Sequence, residues 1–459
     1  MRFIASICIL LLPAALPAYS RTWTSTDGKE VEAEVVTVNA NQTVALRTHS
    51  GRTITVPFNT FAAADVEHLE YLLSRKGRGP LHAVPWNELN QLFGIEIWQD
   101  DNLWDDATAE TANRMGLAKE SKTDFMENHR AYPLGEAKVL KEPVYTTVLY
   151  GGTEHVASIS FVFANQGDMP IPNGQISPGL IEQMAVKIEE SGEHVHNVLE
   201  PVLGEPKRDT LGKGDMREKV WRWDWNEHAI MLTVAEGKYA ALRIMPADRA
   251  DRAGRVEKIT EAELKKRMAS CVERHENGDV VIRNIPMIDQ GPKGYCSPAT
   301  WERYLRYMDI PADMYLLALA GNTGVGGGTY AHQMMAATKS LISANGRELE
   351  PIGNSLAPQN IAEYIDQGLP IMWRFMSTSD LQFAANRNTA ERKGQKIKEK
   401  NVPSSGYGGH ICLVIGYNER TGEAAISDSW GPKYAERWIK VGEVGSQNYQ
   451  YGSMNVIKW

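Results

Sequence analysis

The stretch "DQGPKGYCSPATW", residues 289–301, is the most informative part of the C-terminal sequence. It predicts a helix with a cysteine directly ahead of it. Ser297 can serve as the N-cap, and Pro298 suits the first helical position. Apolar side chains then recur at a helical spacing that predicts one buried face, and they are Trp301, Tyr304, Leu305 and Met308. The partial positive charge at a helix N-terminus favours a thiolate, so Cys296 is a candidate nucleophile.

A glutamine precedes this cysteine at a fixed distance, since Gln290 stands six positions before Cys296. Attack of a thiolate on a carbonyl builds negative charge on the carbonyl oxygen. A side-chain amide and a backbone N–H aimed at that oxygen stabilise the transition state. The Gln290 carboxamide and the backbone N–H of Cys296 could form such a pair.

A nucleophilic cysteine also needs a base and a group that orients the base. Far downstream, "GGHICLVIGY" (408–417) predicts an apolar strand that starts at His410, and "EAAISDSWG" (423–431) predicts a second strand that ends at Asp428. Both residues would lie near the same end of one hairpin. A simple count across the turn places His410 opposite Gly431, so contact with Asp428 requires a bulge or a stagger.

Taken in this order, the three motifs resemble those of the papain-like cysteine peptidases over residues 282–459. "HICLVIGY" resembles the histidine strand of that superfamily, and "DSWG" resembles its Asn-Ser-Trp-Gly element. Lys293 and Gly294 stand in the stretch where animal and plant members carry further cysteines. The form "YCSPAT" and the aspartate at 428 are more similar to the bacterial peptidases that process double-glycine leaders, as are the segments 328–341 and 361–373.

This resemblance implies a domain over 276–459 with a helical half and an antiparallel β half, working without metal or organic cofactor. It also implies a role for each motif residue: Cys296 as nucleophile, His410 as base and then acid, Asp428 as the group that orients His410, Gln290 as oxyanion donor, and Trp430 as a shield against water. Four of these residues have a plainer alternative. The cysteine could be a small core residue, the histidine a hydrogen-bonded strand residue, the aspartate a turn cap, and the tryptophan ordinary core.

The first twenty residues predict a signal peptide and therefore a secreted or periplasmic protein. Arg2 precedes a short apolar run, and Ala18-Tyr19-Ser20 follows it. An uncleaved N-terminal anchor is the alternative. Loss of Cys8 with this peptide leaves three cysteines, which is not a disulfide framework. Of these, Cys412 is expected in the core and Cys271 outside the core of the catalytic unit.

Residues 21–73 predict a small β-barrel module, because apolar and charged residues alternate along "KEVEAEVV" and again in two following segments. The stretch resembles the SH3-like homology domain first named in a yeast actin-patch protein. That resemblance implies a peptide or envelope partner for the module. The basic, glycine- and proline-containing stretch 74–85 reads as a linker.

Residues 86–250 predict an α+β domain of unknown role, either a pro-region or a module that recruits substrate. Strands are expected over 144–149, 157–163, 229–234 and 239–244, and a helix over 180–188. Two weaker features are interpreted as structural: the acidic loop 99–106, with calcium binding as the alternative, and the pair His194 and His196, with metal binding as the alternative. Residues 251–275 read as a charged linker and helix.

Two loops of the last domain could shape a cleft. The first is the glycine-rich segment "GNTGVGGGTY" (321–330), which lacks the ending of a phosphate-binding loop. The second is the segment 377–409, interpreted as a solvated excursion with a mobile flap as the alternative.

The chain of 459 residues is thus predicted to be an α+β multidomain protein, and its net charge of −8 argues against nucleic acid as the main partner. No internal run after the signal peptide is long and apolar enough to span a bilayer. The leading hypothesis is an exported bacterial cysteine peptidase that acts on a peptide or protein. The alternatives are an amidase or acyl transferase that uses the same thiol, and a non-enzymatic envelope protein that only binds.

Overall fold

The structure is a computed structural model. It describes residues 21–39, 41–48, 52–74, 84–152, 154–168, 171, 175–256, 258–395, 408–449 and 454–459. The predicted signal peptide and most of the linker 74–85 lie outside these residues. Within them, no helix has the length and apolar character needed to cross a membrane.

The N-terminal unit is an antiparallel sheet in which each strand pairs with the next along the chain. Its strands are β1 (Arg21–Thr24), β2 (Glu30–Asn39), β3 (Thr43–Thr48) and β4 (Thr53–Pro57), and helix α1 (Ala63–Ser74) follows. Trp23 is fully buried against Phe61 and Leu69, and its indole N–H donates to the Ala33 carbonyl at 2.9 Å. The likeness of this unit to an SH3-like domain stays a prediction.

The middle unit is built on an eight-stranded antiparallel sheet. It opens with helices α2 (Trp86–Phe93) and α3 (Thr108–Arg114) and strands β5 (Lys119–Lys122), β6 (Glu127–Ala131), β7 (Ala137–Val139), β8 (Glu142–Val144), β9 (Thr146–Gly151) and β10 (Val156–Asn165). It continues with α4 (Pro178–Leu203), β11 (Lys207–Leu211), β12 (Glu218–Trp225), β13 (His228–Ala235), β14 (Tyr239–Pro246) and α5 (Ala247–Asp251).

The strand order of this sheet is β11-β12-β13-β14-β10-β9-β6-β5, while β7 and β8 pair separately. The structure has strands at all four places where the sequence predicts them. It also has a helix at 180–188, which is much longer than predicted because Ser177 caps it and apolar residues continue at helical spacing to Leu203. Helix α4 packs across β10 and β13, which closes one face of the sheet.

The C-terminal unit has helices first and an antiparallel sheet after them. It contains α6 (Glu261–Ser270), β15 (Val272–Arg274), β16 (Asp279–Ile282), α7 (Cys296–Tyr307), α8 (Met314–Ala320), α9 (Ala331–Ala344), β17 (Glu348–Ile352) and α10 (Pro358–Ile365). It ends with β18 (Ile371–Ser377), α11 (Ser379–Arg392), β19 (Gly408–Asn418), β20 (Glu423–Ser427), β21 (Arg437–Lys440) and β22 (Met454–Lys458).

Strand β19 is central to the C-terminal sheet, with β16, β18 and β20 as its neighbours. Cys412 lies on it and is fully buried, as predicted. The prediction for Cys271 is wrong, because this thiol lies in the core of the C-terminal unit. Helix α6, which the sequence predicts as a solvated helix after a linker, inserts Leu264 and Met268 into the same core, and Cys271 follows them.

The prediction of a solvated loop over 377–409 is wrong for its first part, where α11 forms. Thr378 caps this helix by accepting a hydrogen bond from the backbone N–H of Leu381. One face of α11 is buried against β21, and the Asn388 carboxamide on that face donates to Glu423 at 2.6 Å. Residues 396–407, the second part of the predicted loop, lie outside the described residues.

The hairpin formed by β19 and β20 contains a β-bulge. Near the turn Gly416 pairs with Ala425, but after the bulge Leu413 pairs with Ser427, so the register has moved by one residue. Gly416 is also closely approached by β16, since a Cβ at this position would lie 2.5 Å from the Val280 carbonyl oxygen. The bulge therefore lies where two strands come unusually close.

This shift decides whether His410 and Asp428 can meet. Side chains alternate between the two faces of a strand, so a shift of one residue moves a whole strand segment to the other face. With the shifted register continued past Ser427, His410 lies opposite Trp430, and Asp428 lies diagonally opposite on the same face. The bulge or stagger that the sequence requires is thus present.

The middle and C-terminal units share a core. Tyr150, Val162 and Tyr239 of the middle sheet pack with Tyr295 and Tyr315 of the C-terminal helices, and all five are buried. Burial of several aromatic side chains contributes strongly to association. The residue directly before Cys296 therefore lies in an interface between the two units.

We expect Gly416→Ala to lower the free energy of unfolding by about 1–3 kcal/mol, because the added methyl group overlaps the backbone of β16 and neither strand can yield. Urea unfolding followed by tryptophan fluorescence measures this. Gly442→Ala is the control, since a Cβ there meets nothing within 4 Å. Equal losses in the two variants would contradict the role of close approach at the bulge.

Candidate active site

Helix α7 begins at Cys296 itself. The preceding residue, Tyr295, is its cap residue and contributes no capping side chain, and the first helical hydrogen bond runs from Ala299 N–H to the Tyr295 carbonyl at 3.0 Å. The predicted cap at Ser297 is therefore wrong, because the chain turns into the helix one residue earlier than the Ser-Pro pattern suggests. The predicted buried face of the helix is confirmed, and the thiol is half-buried at the positive end of the helix.

His410 and Asp428 form a buried ion pair. The distance from His410 Nε2 to Asp428 Oδ1 is 2.7 Å, and the two side chains are 3% and 0% exposed. The Cys296 thiol lies close enough to His410 for each group to shift the pKa of the other. Since Nε2 is engaged by Asp428, Nδ1 is the ring nitrogen left for the cysteine. The structure thus brings together three residues that the sequence selects from two distant segments.

Aromatic rings enclose the His410 imidazole. Trp430 stacks on it with a ring-centroid distance of 4.6 Å, and Phe375 meets it edge-on at 5.3 Å. Tyr434 packs perpendicular to Trp430 at 5.6 Å. These rings keep water away from the ion pair, which strengthens the interaction between its charges.

Arg437 is a fourth member of this cluster, and the sequence analysis did not find it. Its Nη2 donates to Asp428 Oδ2, the oxygen that His410 does not use, and its Nη1 donates to Asn386 Oδ1 at 2.8 Å. The guanidinium also lies 5.4 Å from the Trp430 ring centroid. Both oxygens of the Asp428 carboxylate are therefore engaged, which holds it in one orientation.

The pKa values of the cluster follow from these contacts. Burial raises the pKa of Asp428. The Arg437 guanidinium and the hydrogen bond from His410 outweigh burial and lower this pKa to about 2. Burial lowers the pKa of His410, but its hydrogen bonds with Asp428 and Cys296 raise it to about 9. The imidazole is therefore favoured in its protonated form near neutral pH.

The Cys296 thiol responds in the opposite direction. Burial raises its pKa, but the hydrogen bond and positive charge of His410, with the backbone N–H groups of Ile411 and Ser297, lower it below its ordinary value of 9.0. A lowered thiol pKa beside a raised imidazole pKa is the arrangement of a thiolate and imidazolium pair. Such a pair makes the sulfur a nucleophile without a separate deprotonation step.

Gln290 is buried and held at both ends of its carboxamide. Oε1 accepts from the Ser429 hydroxyl at 2.9 Å, and Nε2 donates to the Lys293 carbonyl at 2.7 Å. The backbone N–H of Gln290 also donates to the Ser429 carbonyl at 2.8 Å. These contacts occupy one of the two hydrogens on Nε2 and leave the second for another acceptor.

Two further residues support the cluster, one inside the DSWG element and one outside every motif. Ser429 links the aspartate loop to Gln290 as described above. Arg303 on α7 is 1% exposed and donates through Nη1 to the Ser427 carbonyl at 3.1 Å, directly before Asp428. Arg303 has no sequence signal of its own, because an arginine at this spacing is more often exposed.

The histidines that suggested a metal are used otherwise. His194 Nε2 lies 2.9 Å from the Leu140 carbonyl, and the His196 ring packs edge-on against Trp221 and Trp223. In the part of the chain that the structure describes, no group of three or more His, Cys, Asp or Glu residues is arranged to hold a metal ion.

Comparisons with known proteins found a family model and solved structures that are similar to this chain. Residues 282–455 match the Peptidase_C39 like family. Among solved structures, the chain is similar to xylellain, a cysteine protease from Xylella fastidiosa, at 12% identity over 44% of this chain and 90% of that chain, with a TM-score of 0.28. No curated protein matches the chain. The family match supports a papain-like cysteine peptidase family for the C-terminal unit, and hence a hydrolase.

We expect Arg437→Met to lower the free energy of unfolding at pH 7 by about 3–5 kcal/mol, because it leaves the buried Asp428 carboxylate without its guanidinium partner. The loss should be much smaller in an Asp428→Asn background, where no buried charge remains to be compensated. Urea unfolding of the two single variants and the double variant measures this coupling.

The same pair predicts a pH dependence. The pKa of Asp428 is shifted from 3.8 to about 2, so the carboxylate stabilises the fold above about pH 4 and this contribution is lost as the pH falls through 2. Without Arg437 the pKa rises, so the deficit of Arg437→Met should shrink between pH 7 and pH 4. A deficit that is independent of pH and of Asp428 would contradict the pairing.

Proposed function

We propose that the protein is a cysteine peptidase that hydrolyses peptide bonds with Cys296, His410, Asp428 and Gln290. The observation that carries the proposal is the buried 2.7 Å contact from His410 to Asp428, with the Cys296 thiol close enough to the same imidazole for its pKa to be lowered. These residues lie within the segment that matches the peptidase family. A thiol with a lowered pKa beside an oriented imidazole is the arrangement that nucleophilic catalysis requires.

In the first half of the reaction, the Cys296 thiolate attacks the carbonyl carbon of the scissile bond. The carbonyl oxygen becomes an oxyanion, which accepts hydrogen bonds from the backbone N–H of Cys296 and the second Nε2 hydrogen of Gln290. As the tetrahedral intermediate collapses, the C–N bond breaks and the His410 imidazolium gives its proton to the leaving amine. The products are a free amine and a thioester on Cys296.

In the second half, neutral His410 takes a proton from a water molecule, which attacks the thioester carbon. Collapse of this second intermediate breaks the C–S bond and releases a carboxylic acid. The thiolate and imidazolium are then restored. Asp428, held by Arg437, keeps the imidazole in one orientation throughout, and Trp430 keeps bulk water from the pair.

We expect the alkylation of Cys296 by iodoacetamide to be fast well below the free-thiol pKa of about 8.5, because the thiolate is already formed beside His410. In His410→Ala the inflection should move above this value, since burial alone raises the pKa of the thiol. The measurement is the alkylation rate against pH on the reduced protein. Cys271→Ser and Cys412→Ser confirm that Cys296 is the thiol observed.

Product analysis of a digested protein mixture distinguishes peptide hydrolysis from other chemistry of the same thiol. New peptide amines that disappear in Cys296→Ala support the proposal. Ammonia or new isopeptide bonds would point instead to an amidase or acyl transferase. Alkylation that rises only near the free-thiol pKa in the wild-type protein would contradict the proposal as a whole.

Export is part of the proposal, and it is supported by the sequence pattern of the first twenty residues. The N-terminal sheet would then lie outside the cytoplasm, where a peptide or envelope component would bind it. We expect N-terminal sequencing of the protein expressed in a bacterium to begin near residue 21, with Leu11→Arg retaining the full-length chain in the cytoplasm. Full-length chain outside the cytoplasm would contradict cleavage.

A further inference from the structure

One turn of the middle unit is inserted between two loops of the C-terminal unit. The turn consists of the four residues Asn165–Asp168, beginning at the last residue of β10, and we call it the 165–168 turn. Each of its residues contacts either the segment just before Cys296 or the glycine-rich segment 321–330. Such concentrated contact from a different unit indicates more than incidental packing.

The end of the 165–168 turn forms a buried ion pair with the cysteine loop. Lys293 Nζ lies 2.6 Å from Asp168 Oδ1, and the two side chains are 1% and 2% exposed. The ammonium also lies within 5.1 Å of the Tyr132 and Tyr315 ring centroids. Burial lowers the pKa of Lys293, and Asp168 opposes that shift. A lysine so placed depends mainly on Asp168 to hold its charge, with a smaller contribution from the Asp289 carboxylate.

The start of the turn holds the residue directly before the nucleophile. The Tyr295 hydroxyl donates to Asn165 Oδ1 at 2.9 Å, and Gly167 lies so close that a Cβ there would be 2.4 Å from the Tyr295 ring. Gln166 contacts the second loop, since its carbonyl accepts from Gly326 N–H at 3.1 Å and its carboxamide donates to the Thr323 carbonyl.

The contacts of Lys293 affect the oxyanion donor Gln290 through a backbone carbonyl group. The Lys293 carbonyl is the acceptor that fixes Gln290 Nε2. Movement of Lys293 would therefore rotate the carboxamide, whose remaining hydrogen is the one available for an oxyanion. Asp289, on the other side of Gln290, is held from the middle unit as well, because its N–H donates to Glu120 Oε1 at 2.6 Å and its carbonyl accepts from the Tyr132 hydroxyl.

We propose that the middle unit is a permanent part of the catalytic machinery, in which Asp168 and Lys293 are positioning residues that aim Gln290 at the oxyanion. This inference rests on the proposed function, since it deepens the role of the oxyanion donor. It also decides between the two roles left open by the sequence. A pro-region has to leave the active site, whereas the removal of this unit would release the loop that carries Gln290.

The test uses two probes of Cys296 on the full chain. Iodoacetamide reacts with a thiolate and needs no oxyanion donor. A peptide aldehyde forms a thiohemiacetal whose oxygen requires the donor, and its affinity is read from the protection of Cys296 against iodoacetamide. A panel of blocked dipeptide aldehydes is screened, and the tightest binder to the wild-type protein is used for all variants.

We expect Asp168→Asn to weaken aldehyde binding by roughly tenfold or more, which is less than the effect of removing an oxyanion donor altogether. The alkylation rate of this variant should equal that of the control. The control is Asp224→Asn, an identical change in an ion pair of the middle unit with equal burial, 2.8 Å from Arg222 Nε and remote from both loops. Equal aldehyde affinities in the two variants would overturn the inference.

Gly167→Ala is the second variant, and it keeps the test decisive if Asp168→Asn does not fold. It retains every charge but presses on Tyr295, so it too should weaken the aldehyde and spare alkylation. Gly152→Ala is its control, because a Cβ there meets nothing within 4 Å. If the wild-type protein binds the aldehyde and Gly167→Ala binds it equally well, the inference is wrong but the proposed function stands. Wild-type protein that alkylates rapidly but binds no aldehyde overturns the proposed function and the inference together.

Discussion

The carboxylate of Asp428 is completely buried, and the rest of the candidate site is arranged to satisfy it. A buried charge is strongly unfavourable unless opposite charges and hydrogen bonds surround it. Here one oxygen meets His410 and the other meets Arg437. The buried Arg303 guanidinium also acts on this carboxylate, so the positive charge around Asp428 exceeds its own negative charge. This surplus favours the thiolate form of the neighbouring Cys296.

The contact between His410 and Asp428 requires an irregular backbone in the hairpin of β19 and β20. A regular hairpin would place His410 and Asp428 on opposite faces, and the bulge next to Gly416 corrects their alignment. Gly416 allows β16 to approach at the same point, which a larger residue would prevent. The geometry of the ion pair thus depends on a local irregularity several residues away from both of its members.

The sequence predicts the local parts of this site well and the tertiary parts poorly. Cys296, His410, Asp428 and Gln290 stand in short motifs, so pattern and spacing were enough to select them. Arg437 belongs to no motif, and its burial depends on α11, which sequence polarity presents as a solvated loop. The spacing of His410 and Asp428 requires a register shift, but alternation of side chains does not locate it, because a bulge interrupts the two-residue period by which a strand is predicted.

The contact between Lys293 and Asp168 is likewise not predictable from the sequence, and here the two residues come from different units. The two residues are far apart in sequence and belong to different units, so each one reads as an ordinary surface charge. Once buried, such a pair adds little net stability, because desolvation offsets most of the attraction between the charges. It does, however, penalise every arrangement in which one member is left alone. A buried interdomain ion pair beside Gln290 is therefore better suited to defining one geometry of the loop than to strengthening the fold, and this favours a middle unit that stays in place during catalysis.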